Sequence, residues 1–248
     1  MYRGTAGRVI PLVLLGIHPC PRSWERDDNG QPEWGSVIAQ AAEAIEVTNN
    51  NDSGEGSLRY AIDNSSGGDT ITFAGDVTGN ILLESMLFIG KDLTIEGPGA
   101  DILALDGQDD GRVFKIDSGT VDISGLTIKN GYSASNGGGI SNTDGILTLT
   151  NSTVSGNTGM NGGGINNNAG TVTLTNSTVS GNTAWGGGGI YNWEGGVTLT
   201  NSIIANNSGG PDCGDSGGGG TFNSQGYTLD SDGTCGLTGV GDLSNTDP

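Results

Sequence analysis

The chain has 248 residues, 48 of them Gly, with 28 acids against 9 bases and a formal net charge of −19. Lys129 is the last base, so positions 130–248 carry none, and binding phosphate needs Lys or Arg to replace counterions; nucleic acid and anionic lipid are therefore excluded as partners. No G-X-Y period runs through the glycines, which excludes collagen, and the apolar residues fall in ordered places, which argues against disorder.

At the amino terminus, Arg3 and Arg8 precede or open a short apolar run, Val9 to Ile17. The run is too short to span a bilayer but long enough for the core of a signal peptide. No small-residue cleavage site follows closely. Cys20 is preceded by Ile17, His18 and Pro19, which is not a lipoprotein-type box, and Ala42-Glu43-Ala44 has the A-x-A form far downstream. Residues 1–44 read as a leader or signal-like region outside the fold, and the expectation is a secreted or cell-surface chain whose mature domain does not insert into a membrane.

From residue 45 the pattern changes. Ile45 to Val47 begins an extended segment, and NNNDSGEG is a loop. Ser57 is placed to N-cap a short helix that puts Leu58, Ala61 and Ile62 on one face, so residues 48–66 read as an amino-terminal cap. Ile71 and Phe73, Leu93 and Ile95, and Val121 and Ile123 then alternate with polar residues between Gly, Asp and Pro, the signature of strands. Further on, the sequence repeats itself every 25 residues. Ile140, Ile165 and Ile190 keep that period, as do Leu149, Leu174 and Leu199, Asn151, Asn176 and Asn201, and Val154, Val179 and Ile204. A unit this short cannot bury its apolar side alone, so units must stack.

Stacking assigns faces. Two-residue alternation turns Leu147, Val172 and Val197, with Leu149, Leu174 and Leu199, inward. It turns Thr148, Thr150, Thr173, Thr175, Thr198 and Thr200 outward as a two-by-three grid, ~4.8 Å between coils. Buried Asn at equivalent turns is expected to form amide ladders. The glycine pairs 138–139, 163–164 and 188–189 mark positions needing positive φ or a close backbone approach. The prediction is an all-β parallel β-helix (solenoid) of seven or eight coils, about 25 residues each, over 45–248, with an irregular closing segment at 211–248.

The segments GSLRYAI, GDTITF, DLTIEGPGADILALDG, RVFKIDSGTVDISGLTIKNG and the NSTVSGNT…GGGI units together resemble bacterial secreted right-handed parallel β-helix proteins with polymorphic-outer-membrane-protein-type repeats. The resemblance covers roughly residues 45–248, and GPDCGDSGGGG…SNTDP is similar to that family's closing segment. It implies right-handed coiling, a place at the cell surface or outside the cell, and no enzymatic activity.

The residues themselves narrow the chemistry further. His18 is the only histidine, so the body holds no His-based triad, His metal cluster or His base. Lyases on similar solenoids need a basic residue as base, and the body offers only Arg59, Lys91, Arg112, Lys115 and Lys129, none in the regular coils. Asp144 and Glu194 share a repeat position two coils apart, ~9–10 Å if the coils stack, at the upper edge of the separation for inverting glycosidases. Both also suit solvated turns, so no catalytic residue is assigned. DGQDDG crowds Asp106, Asp109 and Asp110 into a Gly-containing loop but lacks the spacing of an EF-hand or nonapeptide calcium loop. It reads first as a solvated acidic turn; no cofactor is expected, and calcium is the one ion with a candidate site. Trp185, Tyr191 and Trp193 crowd the last regular coil, either as a stacking platform for sugar rings or as a cover for the side of the solenoid or packing under the closing segment.

Cys213 and Cys235 form a disulfide in an exported chain and stay two thiols in a reducing compartment. The expected function is that of a non-enzymatic surface or matrix protein: a rigid spacer, adhesin or binding module whose partners are polysaccharide or other cell-surface components. The alternatives are a carbohydrate-active β-helix enzyme and adsorption of the Thr grid to ice or crystalline polysaccharide.

Overall fold

The computed structural model describes residues 42–215 and 217–248, and all that follows concerns these. His18, Cys20 and the leader up to residue 41 lie outside them. From Ala44 onward the chain winds into an all-β parallel solenoid of about seven turns, as its periodicity predicts. Every strand pairing is parallel, and Ile140 lies beside Ile165, which lies beside Ile190. The 25-residue period is therefore one turn.

Three sheets make up the turn. The threonine sheet runs from Ala44–Val47 through Thr120–Ser124, Ile146–Thr150, Thr171–Thr175 and Gly196–Thr200 to Thr221–Gly226. A short sheet carries the three-residue strands Thr153–Ser155, Thr178–Ser180 and Ile203–Ala205. The asparagine sheet holds Leu87–Ile89, Phe114–Ile116, Ile140–Thr143, Ile165–Asn168, Ile190–Trp193 and Cys213–Gly214. Strand alternation sets what faces in. Leu147, Leu149, Val172, Leu174 and Leu199 are fully buried, as are Val179 and Ile204 of the short sheet. They form one continuous core from the capping helix to the closing disulfide.

The asparagine sheet changes character along its length. Leu87 and Ile89, then Phe114 and Ile116, fill its two inward positions in the early turns. From the next turn the second position is amide: Asn142, Asn167 and Asn192, all 0% exposed. Asn142 Nδ2 donates to Asn167 Oδ1 at 2.8 Å and Asn167 Nδ2 to Asn192 Oδ1 at 2.9 Å, while each amide also donates to a turn carbonyl three residues on. A second column, Asn157 and Asn182 buried and Asn207 partly exposed, donates in the same direction and ends on Asp212 Oδ1. The row Asn151, Asn176 and Asn201 is also linked amide to amide but donates the other way, Asn201 to Asn176 and Asn176 to Asn151. These residues are exposed, sit at φ of 49°, 50° and 46°, and occupy left-handed turns that Asn tolerates.

The glycine motif separates into two jobs. Gly137, Gly162 and Gly187 take positive φ (71°, 62° and 64°). The pair that follows is there for closeness: a Cβ on Gly163 would lie 2.5 Å from the Thr183 carbonyl oxygen, and one on Gly188 2.8 Å from that of Ser208.

Both ends are closed. The helix Leu58–Asn64 is N-capped by Ser57 Oγ, which accepts from Tyr60 N, and lays Leu58, Ala61 and Ile62 over the first turn. Arg59 ties that cap down through Asp52 and the carbonyls of Ser85 and Met86. At the other end, Thr221–Gly226 bulges against Leu199 and Thr200, and Cys213 and Cys235 are joined by a disulfide with Cα atoms 4.9 Å apart.

Candidate functional site

The outward positions of the asparagine sheet are set by the same alternation that buries its amides. One row across the turns reads Phe88, Lys115, Ser141, Asn166, Tyr191; the next reads Thr143, Asn168, Trp193. The loop before each strand forms a rim, where Asn161 Nδ2 donates to Asn136 Oδ1 at 3.0 Å. Floor and rim enclose a groove of about 550 Å³. Among the described residues its lining is made of amides, hydroxyls, two aromatics and two cations, with no carboxylate.

The cations differ. Lys115 Nζ pairs with Asp117 at 2.9 Å and stands 5.5 Å from the centre of the Phe88 ring. The Arg112 guanidinium is half-buried and donates to the carbonyls of Gly137 and Asn136 and to Ser133 Oγ, which fixes the rim. No carboxylate forms an ion pair with it among the described residues. Burial pushes the Arg112 pKa down, against the attraction of the Asp117 charge. In mid-groove, Asn166 is only 4% exposed, and its Oδ1 accepts no hydrogen bond among the described residues.

The aromatic trio is split by the fold. Tyr191 is buried at 8% exposure in the groove wall, and Trp193, two residues on along the same strand, is 37% exposed. Trp185 is 83% exposed and belongs to a separate surface hollow with Tyr132 and Met160. The Thr grid forms as predicted, with Thr148, Thr173 and Thr198 in one line and Thr150, Thr175 and Thr200 in the other. Asp122 and Ser124 bound it on one side and Asn223 and Gly226 on the other, so it spans three turns.

Asp144 and Glu194 both occupy the exposed left-handed turn of their coil, with φ of 56° and 57°, and Ala169 stands between them at 61°. Asp106, Asp109 and Asp110 do not converge. Asp106 is buried against Lys129 at 3.5 Å and accepts from Gln108 N and Asn130 Nδ2, while Asp109 and Asp110 are exposed.

Three other carboxylates do converge: Asp212, Asp230 and Asp232 lie together beside the disulfide. Sequence spacing carries no signal for them, because they meet only through the irregular closing loop. Every oxygen is already an acceptor. Asp212 takes Asn207 and Ser231 Oγ, Asp230 takes the amides of Asp232 and Cys235, and Asp232 takes Asp212 N and Thr234. Burial, helped by the neighbouring Asp232 charge, pushes Asp230 up to about 6. Asp232 is held below its usual range, against its own burial, by the Thr234 hydroxyl and by backbone amides. The cluster is a hydrogen-bonded plug for the amide column.

No family model and no curated protein matches the chain. Among solved structures it is similar to one described as Geobacillus virus E2 - ORF18, with 14% identity and a TM-score of 0.42, over 75% of this chain and 41% of that one. The chain thus spans about two-fifths of that structure's length.

Proposed function

We propose that the chain is a non-enzymatic, exported binding scaffold that holds a polysaccharide in the groove of the asparagine sheet. The observation that carries this is Trp193, half-exposed at one end of a groove otherwise lined by amides, hydroxyls and two cations. An indole face suits the apolar face of a sugar ring, and convergent amides and hydroxyls suit its hydroxyl groups. Stacked turns and amide columns keep that surface rigid, which lowers the ordering cost of binding. The disulfide Cys213–Cys235 fits an oxidising exterior.

Binding is favoured over turnover by the side chains. The groove lining contains no His and no carboxylate. Asp144 and Glu194 sit on solvated turns outside it, the geometry on which the alternative of a carbohydrate-active enzyme would have to rest. The Thr grid supports a second, smaller adsorption face for ice or crystalline polysaccharide, since its register is regular over three turns.

The test is affinity electrophoresis of the full chain through gels containing neutral or acidic polysaccharides, with calcium or with chelator. We expect retardation in at least one gel, unchanged by chelator and with no new reducing ends. Trp193→Ala should weaken it by about tenfold, equivalent to about 1.4 kcal/mol. Migration unaffected by every polysaccharide overturns the reading.

A further inference from the structure

Resting on the groove reading above, we propose that its ligand is a carboxylated, uronate-bearing polysaccharide, with acid groups held at the Arg112 and Lys115 end. The charge distribution is the first reason. The chain carries a net charge of −19, yet this groove is lined by no acid and by two of the five bases that follow residue 44. A neutral glycan would gain only hydrogen bonds from cations placed there. A chain of carboxylates would, because the rest of this acidic surface repels it and the groove does not.

Arg112 supplies a fixed charge that makes no direct ion pair among the described residues, Asp117 acting on it only at longer range, and its orientation is locked by the rim carbonyls it donates to. Lys115 supplies an exchangeable one. Its pair with Asp117 is partly exposed on both sides, the kind of pair that is weakly held in water and can be shared with an incoming anion.

Asn166 is the second reason, independent of charge. Its side chain is more than nine-tenths buried, lines the groove, and leaves Oδ1 without a donor among the described residues. Buried acceptors without a donor are uncommon, and a ligand in the groove that Asn166 lines is a source of one. A sugar hydroxyl provides it. The row Lys115, Ser141, Asn166, Tyr191 advances one turn at each step, so the cationic end lies about 14 Å from Tyr191. A ligand meeting all three features must be extended: acid at Lys115, a hydroxyl at Asn166, and a ring face at Trp193.

The discriminating experiment compares polygalacturonate with its methyl-esterified form, the same backbone with its charge removed, using the full chain and equilibrium binding. The acid should bind at least about tenfold more tightly than the ester, a difference of about 1.4 kcal/mol. Lys115→Gln and Asn166→Asp should each narrow that ratio, the first by removing the cation and the second by placing a carboxylate mid-groove. Equal binding of acid and ester, both lost in Trp193→Ala, would overturn the charge proposal and leave the groove reading standing. No binding of either form, or of any neutral glycan, would overturn both.

Discussion

The amide columns show how much a single residue decides here. Asn142 heads its column because Ile116 occupies its register in the preceding turn and its side chain has no N–H to offer, which leaves Asn142 Oδ1 buried without a donor. A buried acceptor in that state costs about 1–3 kcal/mol. Ile116→Asn should extend the column, since both amides bonded within it donate toward the following turn and Gly119 stands where Gly145 serves Asn142. Ile123→Asn offers a contrast, being equally buried among apolar neighbours with no waiting acceptor. In urea unfolding, Ile116→Asn should prove milder than Ile123→Asn by about 1–3 kcal/mol. Equal losses would mean that the column cannot grow. At the other end, Asp212 ends the second column because a carboxylate accepts without needing to donate, which makes it the natural terminus of a chain of donors.

At the scale of the element, the strands of the threonine sheet are two-faced, and the two faces should respond oppositely to the same substitution. Leu174 is fully buried between Leu149 and Leu199, whereas Thr173 beside it is partly exposed. Leu174→Asp places an unpaired charge in the core and should destabilise by about 3–5 kcal/mol. Thr173→Asp should stay within about 0.5 kcal/mol, as surface changes usually do. Thermal melts of the two variants decide it: a wild-type melting temperature for Leu174→Asp would mean that the faces are reversed.

Across the whole solenoid, the buried and capping carboxyls set opposite responses to pH at the two ends. Asp230, raised to about 6 by burial, holds its proton more tightly folded than unfolded. Its contribution is full below the ordinary carboxylate value and is lost as pH rises through about 6, with a slope of at most about 1.4 kcal/mol per pH unit for one proton. Asp69 at the opposite end is held below its usual range by the amides of Glu43 and Ser66. Asp52 is held low by Arg59 and Glu84 N against its partial burial. Their contribution is present above the ordinary value and is lost as pH falls through their lowered ones. Stability should therefore rise from pH 7.5 to about 5 and fall again below about 4. Asp230→Asn should flatten the upper part of that profile in calorimetry while leaving the acid limb in place; an unchanged slope in that variant would remove Asp230 as its source.

The period, the parallel stacking, the inward Leu and Val rows, the Ser57 cap and the Thr grid were legible in the sequence, because each follows from local rules: alternation along a strand, spacing between turns, and capping chemistry. Tertiary structure alone decided which asparagines are buried, since Asn suits a left-handed turn and an amide column equally well and only the position of the sheet tells them apart. It also sent Trp185 to one surface and Trp193 to another, eight residues apart on two sides of a turn. Asp212, Asp230 and Asp232 meet only because the non-repeating closing loop folds back on itself. The groove was hidden for the same reason: its lining is drawn from four successive turns, so residues as far apart as Arg112 and Trp193 line one surface by stacking. A repeat announces what recurs, and this site is made of the positions where each turn differs from the last.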